Sequence, residues 1–290
     1  MQIELLQCGD IRLEVCPGIG GSITRFSIEG QDILRSASKE AFLHRDPGSM
    51  GAFPMIPYCN RIADGCFWFE GRQIQLLKNF PPELCSIHGL GWTRAWSIDY
   101  KTETVLILSY DHDGRDWPWK FSSEQQFSVK SDRLDYKLSI KNLDSGPMPA
   151  GLGLHPFFPE KHLARLSCSF QGRWQCDSAG LPSQFLGLEK SDQFDGSATM
   201  NNYDVDHIYT GLNSDIGLRW DNKKYGVKFE NSEEIFGYVV YSPPKHDFLC
   251  VEPITHLPNV INMDEQAGTM NELEPGDSMS ICHSFVVSEE

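Results

Sequence analysis

The chain has 290 residues, 40% hydrophobic and 11% aromatic, enough apolar surface for a large core and too much for a disordered chain. Forty acidic residues against 25 basic give a formal net charge of −15, which repels phosphate backbones and anionic lipid and argues against nucleic acid or a membrane as a general partner. Nine cysteines without a C-x-x-C pair suit neither a disulfide framework nor a zinc site, and are expected to be reduced thiols of a cytoplasmic protein.

At the N-terminus no basic leader precedes an apolar stretch, so no signal peptide is expected. No run approaches the roughly 18 unbroken apolar residues of a membrane helix. Ile11, Leu13 and Val15 alternate with Arg12 and Glu14, the period of a strand with one dry face. After a Gly/Pro-dense stretch from Asp46 to Pro57, Phe67-Trp68-Phe69 and Ile74-Gln75-Leu76 flank Glu70-Gly71, which predicts a hairpin. Leu134, Tyr136, Leu138 and Ile140 alternate with Asp135, Lys137, Ser139 and Lys141, between turn signals at Ser131-Asp132 and Asp144-Ser145-Gly146-Pro147. A second Gly/Pro-dense stretch runs from Gly146 to Pro159, and helical periodicity is confined to a short turn near Lys161 to Leu166. A third runs from Ser242 to Pro258; Pro275-Gly276-Asp277 then turns the chain into a strand with Met279, Ile281, Phe285 and Val287 on one face. The pattern predicts an all-β chain, a large antiparallel β-sandwich, with one domain over residues 1–290 because no linker, repeat or composition shift divides it.

The three Gly/Pro-dense stretches carry or adjoin the polar residues of most chemical interest, as expected of loops displayed on a rigid scaffold. In Pro57-Tyr58-Cys59-Asn60-Arg61-Ile62, Asn60 and Arg61 offer an amide and a fork of guanidinium donors to a hydroxylated ligand. In Ser86-Ile87-His88-Gly89-Leu90-Gly91-Trp92, glycines let the backbone approach a ligand beside His88, and Trp92 or Trp96 is a candidate to stack on a sugar face. A lone histidine is more often structural. His155-Pro156-Phe157-Phe158 is sharper: Pro156 favours an extended conformation at His155, and the phenylalanines limit water around the imidazole. Asp204 and Asp206 share a face if extended, and either could accept hydrogen bonds from ligand hydroxyls. Glu252 ends the apolar run Phe248-Leu249-Cys250-Val251, where a carboxylate is costly unless it is paired or reactive. Walker, G-x-S-x-G and H-E-x-x-H motifs are absent, which removes the common phosphate-loop, hydrolase-elbow and zinc-protease readings.

Taken in order, Gly20-Gly21-Ser22-Ile23, Asn60-Arg61, His88-Gly89, His155-Pro156-Phe157-Phe158, Asp206-His207, Glu252-Pro253 with Pro258-Asn259, and the Leu273 to Asp277 turn resemble the aldose 1-epimerase (galactose mutarotase-like) family over nearly the whole chain. The resemblance implies a β-sandwich of the galactose mutarotase type, with a cleft on one sheet face and no metal or organic cofactor. It implies that Glu252 is the general base and His155 the general acid, with His88 assisting at the ring or anomeric oxygen. Arg61, Asp206 and Asn60 would hold sugar hydroxyls. The implied partner is a small sugar; its identity and the oligomeric state stay open. Proximity of Glu252 and His155 is expected to favour the charged form of both.

Three other readings compete. Glu252 and Asp206 across a cleft would suit glycoside hydrolysis, although that chemistry does not need the histidines. A non-catalytic sugar-binding sandwich would keep Asn60 and Asp206 without needing Glu252 or His155. A hexose 6-phosphate epimerase would call for further cations at the cleft, with Arg94 and Lys245 as candidates.

Overall fold

The computed structural model describes residues 2–264 and 267–289. Two large antiparallel sheets, of eleven and nine strands, pack face to face, and three two-stranded ribbons lie outside them. The predicted strands fall where the alternation places them. Ile11–Cys16 buries Ile11, Leu13 and Val15 on one side, and Arg133–Asn142 buries Leu134, Tyr136, Leu138 and Ile140. Cys66–Phe69 and Arg72–Gln75 form the predicted hairpin, with both Glu70 and Gly71 at positive φ. Two adjacent positive φ values give a two-residue turn the twist of its flanking strands.

Phe26 of the larger sheet packs on Phe285 of the smaller at 5.9 Å between ring centroids, and Phe158 packs on Phe229 at 5.7 Å. Apolar residues of both sheets join one continuous buried cluster. The last strand, Ser278–Glu289, points Ile281 and Phe285 into that cluster as predicted. His283 lies between them, fully buried, with its Nδ1 bonded to Asn231 Oδ1.

Helix is placed differently from the sequence expectation. Near Lys161 only residues 161–163 turn, and Ala164–Cys168 is a strand paired with Ile216–Trp220. Leu163 and Ala164 close one turn on the Glu160 carbonyl, and the β ladder then takes over the backbone. A six-residue α-helix instead spans Lys39–His44, capped by the Ser38 side chain on the Ala41 amide.

Five strands of the larger sheet carry the site. We label them β1 (Ala52–Met55), β2 (Gly153–Pro159), β3 (Val205–Leu212), β4 (Gly237–Ser242) and β5 (Phe248–Ile254). In space they run β1-β2-β5-β4-β3. Phe158 of β2 faces the smaller sheet, so His155 and Phe157 stand on the outer face by the two-residue period of a strand.

Candidate active site

Register brings the two sharpest candidates together. Gly153 pairs with Ile254 and Phe157 with Cys250 across β2 and β5, which sets His155 opposite Glu252. His155 is also opposite Phe53 of β1, Glu252 is opposite Val239 of β4, and Asp206 of β3 is opposite Tyr241. Cross-strand neighbours on one face meet without any loop having to position them. His155 Nε2 lies 3.2 Å from Glu252 Oε1.

A ribbon folds over this row. Arg61–Ile62 pairs with Ser86–Ile87, and side by side at one end of the ribbon Asn60 (φ 56°) and His88 (φ 58°) adopt left-handed backbone. His88 N–H donates to the Asn60 carbonyl at 2.9 Å, which locks the two together. Gly89 follows at φ 69°, and a Cβ there would sit 2.0 Å from the Ile56 carbonyl oxygen, so only glycine fits beside His88. Asn79 fastens the same turn, accepting from Ile87 N–H and donating to the carbonyls of Ile87 and Gly89.

Together these elements enclose a cavity of about 170 Å³, lined by Asn60, Arg61, Ile87, His88, His155, Asp206, Val239, Tyr241 and Glu252. The six residues to which the family resemblance gives a role, Asn60, Arg61, His88, His155, Asp206 and Glu252, all line it. His155 is clamped between aromatic rings, 4.6 Å from Phe53 and stacked 4.5 Å from Phe157, and the His88 ring meets it edge-on at 5.2 Å. Arg61 donates to Glu83 at 3.3 Å and reaches the Asn60 side-chain oxygen at 3.4 Å. Asp206 meets solvent at the rim.

The charge states differ from the expectation that proximity ionises both partners. Glu252 is 2% exposed, and burial pushes its carboxyl well above the usual carboxylate range, aided by Asp206 and opposed by Arg61. Burial lowers His155 to about 3, with Arg35 adding to the effect, and drives His88 well below its ordinary value. The crowded walls likewise push the Asp206 carboxyl up, against the pull of Arg61. Desolvation of two ions in a dry pocket outweighs their mutual attraction at 3.2 Å. Glu252 Oε2 and His155 Nδ1 are buried without a protein hydrogen-bond partner.

Several expectations need correction. Trp92 and Trp96 are 3% and 4% exposed, and their indole N–H groups donate to the carbonyls of Gly89 and Gly91. Trp92 braces His88 from behind at 5.5 Å and offers no face to a sugar. Asp204 precedes β3 and does not line the cavity with Asp206. Arg94 pairs with Asp116, and neither Arg94 nor Lys245 lines the cavity.

Other residues carry the site without having stood out in the sequence. Tyr241 belongs to a Tyr-Val-Val-Tyr run that reads as buried strand, and Glu83 lies in an unpatterned loop. His256 Nδ1–H donates to the Leu257 carbonyl, which leaves Nε2 to accept from Cys59 N–H at 3.0 Å. Asn259, which the sequence did mark within Pro258-Asn259, completes the brace: its N–H donates to the Arg61 carbonyl at 2.7 Å and its side-chain oxygen accepts from Ala63 N–H at 3.0 Å. As a metal ligand set, the donor atoms of His155, Glu252 and Cys250 lie within 4.8 Å of one another. Cys250 is fully buried, and burial holds its thiol well above the ordinary range.

The family model described as aldose 1-epimerase matches residues 9–284. An uncharacterized protein of Escherichia coli strain K12, YphB, is 27% identical over 286 residues, covering 96% of each chain. A crystal structure from Escherichia coli K12 named "Putative aldose 1-epimerase" is 26% identical, with a TM-score of 0.90 over 100% of this chain and 99% of the other. A galactose mutarotase-like protein from Clostridium acetobutylicum shares the fold at 19% identity, with a TM-score of 0.87 over 100% and 99% of the two chains.

Proposed function

The chain belongs to the aldose 1-epimerase family, and on that premise we propose that it is a mutarotase, interconverting the α and β anomers of an aldose by acid/base opening and closure of the ring. One observation carries the reading: His155 and Glu252, 3.2 Å apart, form the floor of a small polar cavity rimmed by donors and acceptors suited to hydroxyls. A pyranose is a cyclic hemiacetal. Opening it moves one proton off the C1 hydroxyl and one onto the ring oxygen, so a catalyst needs one acid and one base and is regenerated with their roles exchanged.

The pair supplies both when it holds a single proton between its two members. Imidazole beside carboxylic acid and imidazolium beside carboxylate are two placements of that one proton. Burial favours the first. Sugar hydroxyls donating to Glu252 Oε2 stabilise the carboxylate and move the proton to His155. Glu252 then takes the C1 hydroxyl proton while His155 protonates the ring oxygen, and His88 supports that oxygen from above the pair. Rotation about C1–C2 in the open aldehyde and reclosure give the other anomer. Arg61, Asn60 and Asp206 hold the remaining hydroxyls. Arg61 is the sole cation among the lining residues and is already engaged by Glu83, which favours an uncharged sugar over a 6-phosphate.

The test is NMR exchange spectroscopy or polarimetry on a panel of freshly dissolved aldoses and their 6-phosphates, with and without protein. At least one neutral aldose is expected to exchange anomers faster with protein. His155→Asn should slow that exchange about 10²–10⁴-fold. Binding without accelerated exchange, or release of reducing ends from oligosaccharides, would refute the reading.

A further inference from the structure

Arg35, which no motif marks, stands one ring away from the pair. Its guanidinium packs over Phe157 at 4.0 Å from the centroid, and the His155 imidazole stacks on the same ring at 4.5 Å. Two groups that each cover one ring centroid occupy its opposite faces, so Phe157 is interleaved between cation and imidazole. The seat is rigid. Arg35 N–H donates to the Phe157 carbonyl at 2.8 Å, and the guanidinium donates to the carbonyls of Met50 and Gly48, at 2.6 Å to the latter. Phe248 forms a second wall 5.1 Å away. Among the described residues no carboxylate lies within ion-pair distance of this guanidinium; Asp46 and Cys250 act on it from farther away, and burial opposes its charge.

We propose that Arg35 is a positioning residue for the reaction: its guanidinium, fixed behind Phe157, sets which member of the His155–Glu252 pair carries the proton they share. The proposal rests on the mutarotase reading and extends it to a residue outside the cavity. A cation behind the ring opposes a second positive charge on His155 and so keeps the resting pair uncharged, with the proton on Glu252. It also makes the imidazolium, once sugar has drawn the proton across, a stronger acid. A stronger acid is what protonation of a weakly basic ring oxygen requires. The other groups facing His155 are Glu252 and Cys250 on β5, Tyr241 on β4, Asp206 on β3, and Arg61 and His88 on the overlying ribbon. Arg35 is distinct among them in holding a charge outside the cavity, with Asp46 the carboxylate that acts on it, beyond ion-pair distance.

The test compares Arg35→Gln with Arg35→Lys, reading the imidazole ¹⁵N shifts of His155 without sugar at pH 4, where both forms of the ring are populated enough to be read. Loss of the charge should raise the ratio of imidazolium to imidazole about tenfold, the effect of roughly one pH unit. The same variant should lower kcat roughly threefold with KM little changed. Arg35→Lys, which keeps the charge and loses the fork of carbonyl contacts, should retain the wild-type ratio. His256, fully braced by Cys59 and Leu257, serves as the internal reference. An unchanged ratio in folded Arg35→Gln would overturn the proposal. So would a change of the same size in Arg35→Lys, or one shared by His256. The NMR comparison needs no turnover, so wild-type protein that exchanges no aldose would overturn the mutarotase reading alone.

Discussion

Replacing Glu252 by Gln tests the proton count on which the chemistry rests. The substitution keeps the shape of the side chain and removes its ability to ionise. Burial raises the folded carboxyl above its ordinary value of 4.5, so the contribution of Glu252 to stability is fully present below about pH 4.5 and is lost as pH rises towards the folded value. Glutamine has no such dependence. The stability of Glu252→Gln should therefore gain on wild type by about 1.4 kcal/mol per pH unit above pH 4.5 for as long as the folded pair keeps its proton. Against a total of roughly 5–15 kcal/mol for a folded domain, that difference is easily read by urea unfolding at pH 5, 6 and 7. The linkage counts protons and is blind to which partner holds them. A widening gap means that the pair keeps one proton through neutral pH, as an acid working beside a base requires. Curves that stay parallel from pH 5 to pH 7 would mean a plain carboxylate beside neutral imidazole, with no acid in the pair, and the mechanism would fail. The same variant should lose about 10²–10⁴-fold in anomer exchange.

Two further substitutions probe the scaffold around the pair. Gly89→Ala would drive a Cβ to 2.0 Å from a backbone carbonyl and impose positive φ on alanine; it should destabilise the protein by about 2 kcal/mol or more, seen as a lowered Tm, and displace His88 so that kcat falls. His256→Leu removes the acceptor of the buried Cys59 N–H and should cost about 1–3 kcal/mol in urea unfolding; because that turn carries Asn60 and Arg61, KM should rise more than kcat falls, and an unchanged KM would show that the brace does not position them.

The strands read from alternation were legible because each exposes one face, a local signal, whereas Ala52–Met55, Gly153–Pro159 and Phe248–Ile254 are buried on both faces and show none. Arg133–Asn142 shows the alternation most cleanly. The signal falters where a polar residue occupies an inward position. His283 reads as a break in the face of the last strand, yet it is as buried as Ile281 and Phe285 because Asn231 on the neighbouring strand accepts its hydrogen bond. The helix at Lys39–His44 is too short for a 3.6-residue period to register, and its Ser38 cap is a weak cue alone. The tryptophans misled for a related reason. Large aromatics beside glycines suit a sugar platform, but they equally suit the inside of a tight turn, and here the carbonyls of Gly89 and Gly91 accept from both indoles.

For the site, residue types were legible and electrostatics were not. His155 precedes proline and Glu252 ends an apolar run, and both marks belong to the local sequence. Their meeting depends on the register of β2 against β5, set by Gly153 opposite Ile254 and Phe157 opposite Cys250, which no local pattern encodes. Their charge depends on more distant parts still. Phe53 and Phe157 exclude water from the imidazole, Asp206 arrives from β3, and Arg35, bonded through its backbone to the Phe157 carbonyl, covers the other face of that ring. An acid and a base 3.2 Å apart in water would neutralise one another as a carboxylate and an imidazolium. In this cavity desolvation reverses that preference, so that charge separation waits for hydroxyls able to solvate the carboxylate. On the proposed mechanism the fold thereby ties the reactive proton arrangement to the presence of a polyhydroxylated ligand, a coupling that follows from the walls of the cavity and from neither residue alone.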